Sequence, residues 1–261
     1  MKISKEQVKK VFQDYTDLYD SEDEKIRLKI EHTYRVAEIC ERIAESLFLS
    51  GEDVCLAWLL GMLHDVGRFE QLKQYGTFSD AQSIDHAHFG VELLYAASDK
   101  GKIFLNEFVE ISPSEEAFEV IRTAIWNHSA YRIEEGIGPR MQMFCQILRD
   151  ADKVDIFRVC QETPIEVIYN VSTEEVKHAE VTEEVMNQFF EKHAILRGVK
   201  KTPVDNLVGH AALAFELVYP ESLRIAKEQG YLDKILKFQS ENERTVEQFK
   251  KLRKFMKENL G

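Results

Sequence analysis

The sequence predicts an all-α fold, on three observations. Every periodic stretch carries apolar residues at helical spacing, and none alternates as a half-buried strand does. Five prolines and twelve glycines in 261 residues leave little material for tight hairpins. Hydrophobic residues make up 44% of the chain, ample for one sizeable core. The expectation is a single domain over 1–261: a helical bundle over 25–160, with 161–261 as a helical C-terminal extension packed on it.

A first helix runs from about Lys5 to Leu18 and stops at the acidic turn Asp20-Ser21-Glu22-Asp23-Glu24. A second ends near Leu49. Ser50, with Asp53 three positions on, caps a third. That third helix, Val54 to Leu63, is apolar on every side and is expected to be buried all round, with Gly67 as its stop. Residues 69–85 read as a polar loop where a substrate enters. Ser112-Pro113-Ser114-Glu115 opens the next helix, with Pro113 near its first position. Gly136-Ile137-Gly138-Pro139 breaks the chain before another. The remainder is helical, with one break around Gly198 to Pro203.

Ionisable side chains stand where these stripes call for apolar ones. His64-Asp65 ends the buried helix, and a lone buried charge is costly. His32 precedes Val36, Ile39, Cys40 and Ile43 on one face, and His86 shares a face with Gly90 and Leu93. Gly90 would let a backbone or ligand approach closely. His128 follows Ala124 and Ile125, and Asp152 follows Phe144 and Leu148. Asp150 lies roughly 160° around the helix from Asp152, so Asp152 is the better candidate; His88, facing Glu92, ranks below His86. One histidine on an apolar face is ordinarily a hydrogen-bonded core residue. Six such groups on five segments ask for a common partner. Imidazole suits zinc, iron or copper and carboxylate suits harder ions, so a divalent metal is that partner.

His32, then His64-Asp65, then Asp152 in Ala151-Asp152-Lys153, resembles the metal signature of the HD-domain phosphohydrolase superfamily. The additional His86 and His128 resemble its branches that bind two metals. The resemblance covers about 25–160. It implies an all-α fold with the metal site among helices, and hydrolysis of a phosphate ester or anhydride, often in a nucleotide. After His128 the chain reads Ser129-Ala130-Tyr131-Arg132, without the Gly-Tyr-Pro of the cyclic-di-GMP phosphodiesterase branch. The branch that splits symmetric dinucleoside tetraphosphates, and an oxidative di-iron branch with the same six ligands, stay open. So does a non-catalytic nucleotide-binding module.

The ligand set implies one or two divalent ions (iron, manganese, cobalt, zinc, nickel or magnesium). Asp65 would be the bridging carboxylate, with His32, His64 and Asp152 on one ion and His86 and His128 on the other. Cation-activated water would be the nucleophile. Arg68 and Lys153 are the nearest basic groups in sequence for charge on a phosphate; their alternative reading is solvated surface charge. Asp85 reads as the N-cap of the His86 helix, or as the acceptor that orients His86. Arg197, Lys200 and Lys201 form the other basic cluster, read mainly as exposed.

Composition narrows the partners. A net charge of −12 argues against nucleic acid and anionic membranes, but not against a small phosphorylated substrate, expected to be a nucleotide. No apolar run approaches a membrane span, and the charged start Met1 to Glu6 does not read as a signal peptide. Cys40, Cys55, Cys145 and Cys160 stand singly and read as reduced core residues of a cytoplasmic protein. Oligomeric state is left open by the sequence.

Overall fold

The computed structural model describes residues 3–97, 101–169 and 171–260. Met1 and Lys2, part of the charged start, lie outside that range. Among the described residues the elements are helices, with one isolated antiparallel bridge between Ala97 and Ile103. The fold is all-α. The chain divides into two compact units, Met1–Asp152 and Lys153–Gly261. The division falls within the eighth helix, ahead of the sequence-based boundary near 160.

The first unit contains α1 (Lys5–Thr16), α2 (Glu24–Ser46), α3 (Gly51–Leu63), α4 (Val66–Tyr75), α5 (His86–Tyr95), α6 (Leu105–Phe108) and α7 (Glu116–Asn127), and the start of α8 (Pro139–Glu162). Caps set the starts. Asp23 accepts the Lys25 amide at the head of α2, and Ser50 accepts the Asp53 amide at the head of α3. α2 buries Val36, Ala37, Ile39, Cys40, Ile43 and Ala44 as one stripe. α3 is buried on all sides from Leu56 onward, as its all-round apolarity requires.

The glycines explain how closely these helices approach. A Cβ at Gly61 would sit 2.4 Å from Ala37 Cα, so α2 and α3 touch backbone to backbone. A Cβ at Gly67 would sit 2.4 Å from the His86 carbonyl oxygen, and one at Gly90 3.4 Å from the Gly67 nitrogen. Gly67 therefore does not stop a helix. It lies in the first turn of α4, where the absence of a side chain lets α5 cross against it.

Two further expectations need correction. Residues 69–85 are not a loop throughout: α4 continues to Tyr75, and a 3₁₀ turn covers Asp80–Gln82. The stop is Gly76, left-handed at φ 68°, whose amide bonds back to the Leu72 carbonyl. Pro113 precedes α7 rather than opening it. Glu115 is the N-cap residue, and its carboxylate accepts the Ser112 amide instead.

The second unit takes up the rest of α8 and continues through α9 (Ile165–Tyr169), α10 (Thr173–His178), α11 (Glu183–Phe190), α12 (Val204–Ala212), α13 (Pro220–Gln229), α14 (Tyr231–Leu236) and α15 (Glu243–Leu260). Ser172 and Glu175 form a capping box on α10. The break around 198–203 is a 3₁₀ turn at Arg197–Val199 followed by Pro203, the cap of α12. α15 buries Phe249, Leu252 and Met256 along one face.

The glycine contacts are testable by urea unfolding. Gly67→Ala and Gly61→Ala should each lose about 1–3 kcal/mol, since the added methyl meets backbone that cannot yield cheaply. Gly51→Ala, where nothing lies within 4 Å of the added carbon, should be neutral or mildly stabilising. Equal midpoints for all three would contradict the packing.

Candidate metal centre

Six side chains from five helical segments converge on one point in the first unit, and Asp65 lies at its middle. His32 comes from α2. His64 caps the C-terminus of α3, and Asp65 is the next residue, ahead of α4. His86 opens α5, His128 caps the C-terminus of α7, and Asp152 lies on α8. His32, His64, Asp65, His86 and His128 are each 3% exposed or less.

The two carboxylate oxygens of Asp65 face different histidine pairs. Oδ2 lies 3.7 Å from His32 Nε2 and 3.5 Å from His64 Nε2. Oδ1 lies 3.4 Å from His86 Nε2 and 3.7 Å from His128 Nε2. Asp152 Oδ1 joins the first pair, 3.1 Å from His32 Nε2 and 3.9 Å from His64 Nε2. One potential ligand atom each from His32, His64 and Asp152 falls within a 4.8 Å cluster, and the same holds for His64, Asp65 and His128.

The outer nitrogens of the rings fix which way these donors point. His64 Nδ1 is 2.7 Å from the Gly61 carbonyl, and His128 Nδ1 is 2.7 Å from the Ile125 carbonyl. His86 Nδ1 is 2.9 Å from Asp80 Oδ2. Each acceptor takes a proton from Nδ1, which leaves Nε2 as a bare lone pair aimed inward. His86 Nε2 and His128 Nε2 then face each other at 3.0 Å, and His32 and His64 Nε2 at 3.4 Å. The inward lone pairs of His64, His86 and His128 beside the Asp65 carboxylate, with His32 Nε2 turned to Asp152, make a locus of negative potential. The C-termini of α3 and α7, with His64 and His128 at their caps, add the negative ends of two helix dipoles. The donor set fits a divalent cation.

Protonation agrees. Burial pushes His64 down to about 4, despite Asp65 and Asp152. Burial, then the Arg68 charge, pushes His86 down to about 3. Both are neutral at pH 7, as metal ligation demands. Burial opposes ionisation of Asp65, yet Lys29, then His64 and the other neighbours, hold its carboxyl well below the usual range. Asp152 is likewise lowered against burial, first by the hydrogen bond from His32.

Sequence reasoning missed three residues here. Lys29, one turn before His32 on the same face of α2, places Nζ 2.7 Å from Asp65 Oδ2; the i, i+3 spacing was the available signal. Asp80, in the 3₁₀ turn, is the acceptor that orients His86. Asp85 is the N-cap of α5, accepting the Ala87 and His88 amides. Arg149, buried on α8, donates to the carbonyls of Asn127 and Ala130 at 2.7 and 2.6 Å and so ties down the chain around His128. No periodicity marks Asp80 or Arg149.

Arg68 and Lys153 are not surface charges. The Arg68 Nη1 group donates to Gln71 Oε1, the Phe78 carbonyl and Asp80 Oδ1 at 2.7–2.8 Å. Its Nε, buried and without a hydrogen-bond partner, lies 3.7 Å from Asp65 Oδ1. Lys153 is buried on α8 beside Asp152. Asp150 is buried too, accepting from Gln146 Nε2 at 2.8 Å. His88 stacks on Trp126 with ring centroids 3.5 Å apart. The four cysteines are free thiols, Cys55 being partly exposed and the others buried. Among the described residues no helix is long and apolar enough to cross a membrane.

Two outcomes test this geometry. Asp80→Ala should weaken divalent-metal affinity about 10- to 100-fold, measured by competition with a chelating dye, because His86 loses its orienting acceptor. In metal-free protein, unfolded histidines take a proton near pH 6.5, whereas His64 stays neutral to about 4. The unfolded state thus binds more protons in that window, and stability should fall steadily from pH 6.5 toward 4. His64→Gln should flatten that slope; an unchanged slope would place the imidazole in a wetter setting.

The HD-domain family model matches residues 30–157, which takes in all six converging side chains. No curated protein and no solved structure matches the chain. Residues 30–157 are thus an HD domain, a domain that binds divalent metals and whose family members are generally hydrolases.

Proposed function

We propose that this protein is a metal-dependent phosphohydrolase that cleaves a phosphoester or phosphoanhydride of a nucleotide or another small phosphorylated metabolite. The observation that carries the reading is the division of Asp65: each oxygen faces its own histidine pair, with two basic side chains alongside. His32, His64 and Asp152 would hold one ion, His86 and His128 a second, and Asp65 would be shared. Bound there, such ions polarise a phosphoryl oxygen and activate water for in-line attack.

The protein's own part is charge and position. Lys29 is 16% exposed at its side chain, so its ammonium has access to an incoming anion while touching Asp65. The unpartnered Arg68 Nε–H offers a second donor. Phe78 lies beneath both, 5.4 Å from Lys29 Nζ and 5.8 Å from the Arg68 guanidinium carbon, and holds the two cations over one aromatic surface. Lys29 and Arg68 thus serve as the phosphate-binding pair, each placed by the carboxylate it neutralises in the free protein. Asp80 keeps Arg68 and His86 in register by bonding both. Lys153, which sequence proximity brought forward, has the weaker claim, and its replacement should spare the metal.

A panel of nucleotides and phosphoesters, assayed with each divalent metal in turn, tests the proposal. Phosphate release should vanish in Asp65→Asn and Asp152→Ala along with bound metal. Lys29→Gln should keep the metal and lose at least tenfold in kcat/KM. Lys153→Ala should keep both metal and most activity. Oxygen consumption with no phosphate release beyond the Asp65→Asn control would assign the centre to oxidative chemistry instead. Tight nucleotide binding without turnover under any metal would make it a binding module.

A further inference from the structure

The second unit holds a thiol in a setting unlike the chain's other three. Cys160, near the C-terminal end of α8, places Sγ 2.8 Å from His210 Nδ1 on α12. Lys200 reaches the same spot. Its Nζ would be 2.5 Å from a Cβ at Gly209, so the ammonium lies over the α12 backbone one residue from His210. It is also near enough to Cys160 to interact with it electrostatically. Cys160 lines a cavity of about 480 Å³, together with Leu207 and Phe238, the acidic Glu162 and Glu166 and the basic Lys234.

We propose that Cys160, His210 and Lys200 form a reactive-thiol site in which the Cys160 sulfur attacks a small neutral electrophile of the hydroperoxide class. Thiolates, not thiols, are nucleophiles, and they form beside cations and hydrogen-bond donors. Burial and then the Lys200 charge push His210 down to about 3, so its ring is neutral at pH 7. A neutral ring carrying its proton on Nδ1 donates to the sulfur, and Lys200 supplies the counter-charge. Two carboxylates against one ammonium at the cavity wall leave it net acidic, which disfavours anionic electrophiles and admits neutral ones.

The step balances with the peroxide as oxidant. The thiol releases its proton; the thiolate attacks one peroxide oxygen, forming S–O as O–O breaks. Sulfur is oxidised to the sulfenic acid, and the leaving hydroxide (alkoxide, for an organic hydroperoxide) takes up the released proton to give water or the alcohol. Cys40 and Cys145 are the buried controls. Burial and nearby Asp152 and Asp150 push the Cys40 thiol well up, and burial pushes Cys145 up to about 12. Cys55, partly exposed, controls for access.

The test is site-resolved alkylation of the native full-length protein by iodoacetamide, read by peptide mass spectrometry between pH 6 and 9. Cys160 should react at least tenfold faster than Cys40, Cys55 and Cys145 at pH 7, and hydrogen peroxide should give a dimedone adduct at Cys160 first. Lys200→Gln should slow Cys160 at least tenfold while Lys200→Arg keeps the rate. Because Lys200 is a partly exposed side chain at the edge of its unit's core, both variants should fold, and circular dichroism checks it. Cys160 reacting no faster than Cys145, or at equal rates in wild type and Lys200→Gln, would overturn the proposal.

Discussion

An ionised carboxylate held among apolar helices is the constraint on which the first unit depends. Asp65 follows a helix with no polar face, where an uncompensated charge would cost several kcal/mol. The fold answers from all sides: Lys29 from α2, Arg68 from α4, and four imidazoles from α2, α5 and the ends of α3 and α7. Burial keeps His64 and His86 neutral at pH 7, so Lys29 and Arg68 carry the compensation while the Nε2 lone pairs of those two rings stay free. Replacing Lys29 or Arg68 with an apolar residue would strand the Asp65 charge, whereas replacing a histidine would remove a ligand.

The helix packing exists in a form that allows this convergence. Backbone contact at Gly61 draws α3 against α2, which sets the distance between His64 and His32. Contact at Gly67 and Gly90 draws α4 against α5, which sets the distance between Asp65 and His86. Outer hydrogen bonds then select tautomers, using main-chain carbonyls at His64 and His128 and Asp80 at His86. Site chemistry and core packing are thus the same set of contacts. A substitution at a glycine should disturb the cluster as surely as one at a ligand.

Much of this was legible in the residue pattern. Helical periodicity picks out His32, His86, His128 and Asp152 because each interrupts an apolar stripe, and the fold gathers those side chains around Asp65. The preference for Asp152 over Asp150 rests on helical angle alone, and Asp152 is the one beside His32. What escaped notice lies outside periodicity. Asp80 sits in a short turn whose position only tertiary packing determines. Gly67 has the same local signature whether it ends a helix or admits a neighbour, and only the crossing of α5 decides. Lys29 was within reach of the face arithmetic, but a lysine on a helix is ordinarily solvated.

Anomalous X-ray diffraction from crystals loaded with manganese tests the central claim most directly, because it locates the ion without reference to any assay. Strong density is expected bounded by His32, His64, Asp65 and Asp152, with a second peak toward His86 and His128. Manganese bound only at surface carboxylates, with the buried cluster free of anomalous signal, would contradict it.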